Sequence, residues 1–157
     1  MPPSILFDLS SIDLNHILFD KHAVREVNPQ RYEFEMIDGV IWVDKTAERL
    51  LAFKDCHADE FWVRGHIPGR PLFPGVLMIE AAAQASCFYT RKIMGWEGFI
   101  GFGGVEDCKF RQQVLPGQRL HLLVQKIWER HKRVGSKVQG LVGGQLAFET
   151  TIIGVQF

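Results

Sequence analysis

The chain is 157 residues long, 46% apolar and 23% charged, enough for one domain to bury a core without disulfides or metal. Its 18 Lys and Arg balance its 18 Asp and Glu, so the basic excess of a nucleic-acid binder is absent. Cys56, Cys87 and Cys108 are odd in number and form no Cys-x-x-Cys pair, so they read as reduced thiols of a reducing compartment.

The opening Met1-Pro2-Pro3-Ser4 lacks the basic stretch and apolar run of a secretion signal. The least polar stretch, Pro74 to Tyr89, is too short to span a bilayer and carries Glu80 and Gln84. The expectation is one cytoplasmic domain over residues 1–157, with no membrane partner and with residues 1–30 as an N-terminal helix and loop extension.

Ser10 or Ser11 is placed to cap a short helix running to about Phe19, with Ile12, Leu14, Ile17 and Leu18 on its apolar side. Residues 21–32 are polar, contain Asn28-Pro29 and read as a loop. Phe34, Met36, Val40 and Trp42 share parity and predict a strand across Asp38-Gly39; Arg49 to Lys54 predicts a second. Gly65 to Gly75 holds Pro68, Pro71 and Pro74, and prolines at that density make a stiff loop.

Pro74-Gly75 then opens a helix predicted to run to about Met94, since proline suits a first turn where its missing N–H leaves no acceptor wanting. Its interior is apolar or small on every side except at Glu80, Gln84 and Ser86, which marks a buried helix. Four β-rich runs follow, Phe99–Phe110, Arg119–Trp128, Arg133–Val142 and Gln145–Val155, separated by short breaks. That spacing predicts an antiparallel meander. One long helix and such a sheet make an α+β domain with the sheet wrapped around the helix. A single helix covers one face, so the other face or edge is expected to meet water or another subunit.

The chemistry concentrates between Gly65 and Gln84. A carboxylate in an apolar helix costs several kcal/mol unless paired or protonated. Glu80 is therefore expected to hold a proton and act as a general acid. Gln84, one turn on, can reach it with a hydrogen bond. His66 in the stiff loop is a candidate base, although a lone loop histidine is as readily a surface residue. Gly75 starts the helix, where free N–H groups and the dipole can hold an oxyanion. Base, acid and oxyanion hole in one short segment suit proton abstraction beside a carbonyl; a purely structural Glu80–Gln84 pair is the competing reading.

The run His66-Ile67-Pro68-Gly69-Arg70-Pro71-Leu72-Phe73-Pro74-Gly75-Val76-Leu77-Met78-Ile79-Glu80-Ala81-Ala82-Ala83-Gln84 resembles the signature of 3-hydroxyacyl-[acyl-carrier-protein] dehydratases of the FabZ type. Arg31-Tyr32, Phe102-Gly103-Gly104-Val105, Lys109-Phe110-Arg111 and Val114-Leu115-Pro116-Gly117-Gln118 continue the resemblance in family order over most of residues 31–120. The resemblance implies a hotdog fold and a homodimer, or a trimer of dimers, with sites at the subunit interface.

It further implies His66 and Glu80 as the catalytic pair, Gly75 with Val76 as the oxyanion site and Gln84 as support. The substrate is a phosphopantetheine-linked acyl chain on acyl carrier protein, handled in fatty acid biosynthesis without cofactor or metal. Glutamate at 80, where the isomerising branch has aspartate, points to plain dehydration. The chain departs from the pattern at Ile67, Phe73, Gln30 and Glu33, where the family has Phe, Met, His and Pro. Substrate identity is more exposed to these changes than reaction type.

Ile67, Phe73, Phe88, Phe102 and Phe110, with Tyr89 and Phe99, are candidates for an acyl tunnel; ordinary core is the alternative for each ring. Arg64, Arg70, Lys109, Arg111 and the Arg130–Arg133 run could draw an acidic carrier, against a plain solvated role. Cys56-His57 with Asp59 and Glu60 fits no structural zinc spacing. Gly101-Phe102-Gly103-Gly104 lacks the third spaced glycine of a dinucleotide loop, and no G-x-S-x-G elbow is present. The competing functions are a hotdog dehydratase, hydratase or thioesterase on a polyketide, polyene or coenzyme A thioester, and a non-catalytic acyl-binding scaffold.

Overall fold

The computed structural model describes residues 3–157; Met1 and Pro2, half of the stretch read for a secretion signal, lie outside the described residues. Residues 10–19 do not form the expected helix. The Asp8 carboxylate accepts from Ser10 N at 3.0 Å and Asp13 accepts from Asn15 N at 3.0 Å, so side chains take the backbone donors that a helix would use. The first helix, α1 (Lys21–Val27), falls instead in the segment read as a loop, started by Asp20, which accepts from Ala23 N at 2.9 Å.

Strands β1 (Gly39–Asp44) and β2 (Arg49–Asp55) form a hairpin. Phe34 is not in β1 but in a single 3-10 turn, Tyr32–Phe34, whose Tyr32 has a positive φ of 57°, so the shared parity from Phe34 overextended that strand. The long helix α2 (Gly75–Phe88) continues as one wider turn, Tyr89–Ile93, close to the predicted span. Strands β3 (Ile100–Phe110), β4 (Arg119–Arg130), β5 (Arg133–Val142) and β6 (Gln145–Gln156) complete the chain.

The sheet order is β1-β2-β4-β5-β6-β3, antiparallel throughout. Only β4, β5 and β6 make the expected meander. β3 leaves it and pairs with β6, from Ile100 opposite Gln156 to Phe110 opposite Phe148. The connection after β3 crosses the end of the sheet, held where Phe73 N donates to Val114 O at 2.7 Å and Cys56 N to Gln118 O at 3.0 Å. Short breaks alone carry no information about such a crossover.

The concave face wraps α2. Met78, Ala81, Ala82, Ala85 and Phe88 pack against Leu50, Ala52, Leu120, Leu122, Val124, Val138, Phe148 and Ile152. Three alanines on this face let the helix sit close to the strands. This is the α+β hotdog arrangement expected.

The convex face is covered by the chain's own N-terminal segment, contrary to the expectation of water or a second subunit there. Phe7 caps Ile41, Leu51, Phe53, Leu123 and Leu141, with Leu6, Leu9, Ile12 and Leu14 around it. Gln139, buried on β5, holds this strap at both ends of its amide: its Oε1 accepts from Leu6 N at 2.7 Å and its Nε2 donates to Ser4 O at 2.9 Å. What stays open is the β3 edge. Its burial alternates weakly, and Phe102, Val105 and Phe110 stand exposed along it.

Candidate active site

Glu80 lies in the second turn of α2, half-buried against the sheet. Burial raises its pKa above the ordinary carboxylate value, and the hydrogen bond from Gln84 opposes that rise without cancelling it. The i, i+4 spacing puts Gln84 Nε2 2.9 Å from Glu80 Oε1. Gln84 is itself fixed from outside the helix. Its Nε2 also donates to Phe34 O at 2.8 Å, its Oε1 accepts from Met36 N at 2.8 Å, and its backbone carbonyl accepts from Asn28 Nδ2 at 3.0 Å. Glu80 is thus steered by a side chain with both of its amide N–H donors and its amide oxygen engaged.

His66 stands exposed on the proline-rich loop. Its backbone N donates to Trp62 O at 2.9 Å, and its ring Nδ1 lies 3.0 Å from Leu72 O. A carbonyl oxygen can only accept, so Nδ1 carries a hydrogen, and in the neutral ring the lone pair is left on Nε2. That is the tautomer a base requires. Phe73 steadies the loop: it is buried, and its ring packs against Trp62 at 5.4 Å and under the Lys54 ammonium at 5.8 Å. Lys54, buried and paired with Glu60 at 2.6 Å, ties the preceding turn to the sheet, and Glu60 in turn accepts from His57 N at 2.8 Å. Sequence reading weighed Glu60 only as a metal donor and missed this brace.

At the start of α2, Leu77 and Met78 both donate to Pro74 O, at 3.0 and 3.1 Å. This leaves the Gly75 and Val76 amides free among the described residues. A Cβ at position 75 would meet the Phe110 ring at 2.9 Å; glycine is what lets that ring and the helix start lie together. Val76 is 73% exposed.

Within one chain these parts fall into two groups. Glu80, Gln84 and Phe102 line a cavity of about 180 Å³ between α2 and the sheet, together with Gln30, Ser86, Cys87, Thr90 and Ser136 among others. His66, Ile67, Gly75, Val76 and Phe110 do not line it. Of the tunnel candidates, Phe99 and Phe102 are on the cavity, and Ile67 and Phe110 are exposed and not in its wall. Phe73 and Phe88 are core, Phe88 packing tilted against Phe19 at 5.3 Å. Ser136 was missed altogether, although a lone polar residue at the inward parity of β5, between Val134 and Val138, was a readable signal.

Cys87 on the same wall is no nucleophile, because burial pushes its thiol up to about 11. Among the described residues no three His, Cys, Asp or Glu side chains come together as a metal site, and no helix is long and apolar enough to cross a membrane.

The FabA-like domain family matches residues 28–151. A 3-hydroxyacyl-[acyl-carrier-protein] dehydratase FabZ of Mannheimia succiniciproducens is 35% identical over 139 residues, covering 87% of this chain and 91% of that protein. The protein of the same name from Oceanobacillus iheyensis is 37% identical over 138 residues, covering 86% and 96%. Among solved structures, a chain of the dehydratase heterocomplex ApeI:P from Xenorhabdus doucetiae superposes with a TM-score of 0.71 at 15% identity, covering 85% of this chain and 90% of that one. Cj0977, a sigma28-regulated virulence protein of Campylobacter jejuni, superposes at 0.69 and 19% identity, covering 93% and 96%. At those identities the likeness is one of fold.

Proposed function

The chain belongs to the FabA-like family, and from that premise we propose that it dehydrates 3-hydroxyacyl thioesters on acyl carrier protein to trans-2-enoyl thioesters, a step of fatty acid biosynthesis. The observation that carries this reading is the half-buried Glu80, kept toward its protonated form by burial and aimed by Gln84.

His66 Nε2 removes a proton from C2 of the substrate. The charge that moves onto the thioester oxygen is met by the free Gly75 and Val76 amides and the positive end of α2. Glu80 gives its proton to the C3 hydroxyl, which leaves as water while the C2–C3 double bond forms. Histidine ends protonated and glutamate ionised, and proton exchange with solvent restores both. The chemistry asks for no metal or organic cofactor beyond the pantetheine arm of the substrate.

The working unit in this reading is a homodimer in which His66 of one protomer faces the partner subunit's Glu80. Two features support it. His66 is not on the cavity that holds its own chain's Glu80. The β3 edge offers unpaired backbone and an apolar row, Phe102, Val105 and Phe110, for a second copy to cover.

The test is the absorbance of enoyl thioesters, followed as they hydrate, for His66→Ala and Glu80→Gln. Each variant is expected to lose about 10²–10⁴ in kcat while remaining folded. Near-native turnover by either one removes that residue from its role. Release of free thiol in place of hydration makes the protein a thioesterase.

A further inference from the structure

The cavity beneath Glu80 has more polar wall than a hydrocarbon tail needs. Ser86 and Thr90 are accounted for: each hydroxyl donates one turn back along the helix, to Ala82 O and Ser86 O, both at 2.9 Å. Ser136 and Gln30 are not. Ser136 is 1% exposed, on the middle of β5, and its Oγ has no partner among the described residues; Gln30 Oε1 is likewise buried and unpartnered there. Both residues line the cavity.

They come from unrelated parts of the chain, one from a central strand and one from the loop after α1. Their meeting on one small cavity is not a by-product of a single local turn. A saturated tail filling this space would strip water from two polar groups and return nothing. A hydroxyl on the tail both donates and accepts, so it serves whichever of the two it reaches: it donates to Gln30 Oε1 or accepts from the Ser136 hydroxyl.

We propose that this cavity selects 3-hydroxyacyl thioesters whose chain carries a second hydroxyl beyond C3, read by Ser136 and Gln30. The proposal rests on the dehydratase reading of the same site and narrows its substrate class from plain to oxygenated acyl chains.

The experiment compares kcat/KM for pantetheine thioesters of 3-hydroxyoctanoate, 3,5-dihydroxyoctanoate and 3,7-dihydroxyoctanoate. The unaltered protein is expected to prefer one of the dihydroxy substrates over the plain one by about tenfold or more. Ser136→Ala and Gln30→Leu are each made, and at least one is expected to shrink that ratio to near unity, raising the plain-chain value while lowering the other. The ratio is internal to each variant, so a loss of stability does not obscure it. The proposal is overturned if the plain chain is used as well as both dihydroxy chains, or if neither substitution moves the ratio. Turnover of none of the three overturns the dehydratase reading itself and this inference with it.

Discussion

Two segments of comparable length cover the two faces of the sheet, and they are held in place by different kinds of information. Residues 65–84 carry the proposed proton donor and acceptor and the free amides, and their local shape is set largely by neighbours in sequence, with Gln84 anchored in addition by residues 28–36. Proline stiffens the loop, Pro74 starts the helix, and the four-residue step joins Glu80 to Gln84. Residues 3–20 carry none of that. Their position is set by residues far along the chain, such as Gln139, 133 positions from Leu6. The difference teaches that the segment of the proposed site owes its local shape mostly to nearby residues, whereas the cover owes its position to distant ones. Changes in the first should be felt in rate, and changes in the second in stability.

The largest effect that sharpens this contrast is expected at Phe7. Its ring is buried against Trp42 at 5.3 Å and over the convex-face cluster. Phe7→Ala is expected to cost about 3–5 kcal/mol in denaturant unfolding. Per folded molecule, kcat/KM on a short unbranched substrate should stay within about twofold of the parent, a margin well under 1 kcal/mol. A proportionate fall in turnover would break the comparison, since the strap would then be steering the site.

A smaller effect belongs to Asp20, which caps α1 through Ala23 N. Asp20→Ala is expected to lower stability by about 1 kcal/mol, read as a shift of the denaturation midpoint with no change in slope.

The subtlest prediction reverses the usual sign within the site. Burial holds the Glu80 carboxyl above its ordinary value in the folded state. Below the unfolded value both states are protonated and nothing is lost. As pH rises from there, the unfolded chain ionises first and folding weakens, until the folded carboxyl ionises too and the loss levels off. Glu80→Gln keeps a side-chain oxygen to accept the Gln84 hydrogen bond and removes this penalty. The variant should therefore melt higher than the parent near neutral pH, and the gap should close under acid. A gap independent of pH would mean that Glu80 is not held protonated by its surroundings.

How much of this was legible in the sequence follows the same divide. α2, the four later strands and the Glu80–Gln84 pair were readable because each rests on local spacing or on Pro and Gly. The N-terminal helix was misplaced by about ten residues because Asp8 and Asp13 spend backbone donors in turns, while Asp20 offers the better cap. Phe34 matched the parity of β1 yet sits outside it, because parity does not register a left-handed residue such as Tyr32. The neighbour of β3 could not be read from loop lengths, since that pairing is decided by the whole sheet. Phe73 and Phe88 looked like tunnel residues by their chemistry. Their burial shows them bracing a loop and filling the core, a distinction that composition does not carry.

The anchoring of Gln84 has a consequence for how such a protein can diverge. The loop from Asn28 to Met36 grips Gln84 at three places and, through Gln30, also forms part of the cavity beside Glu80. A lineage that edits this loop therefore also tugs, through Gln84, on Glu80. Drift there should come in compensated sets, with positions 28–36 and 84 inherited together, whereas changes in the convex strap are answered by its own partners, such as Gln139, and leave that anchor alone.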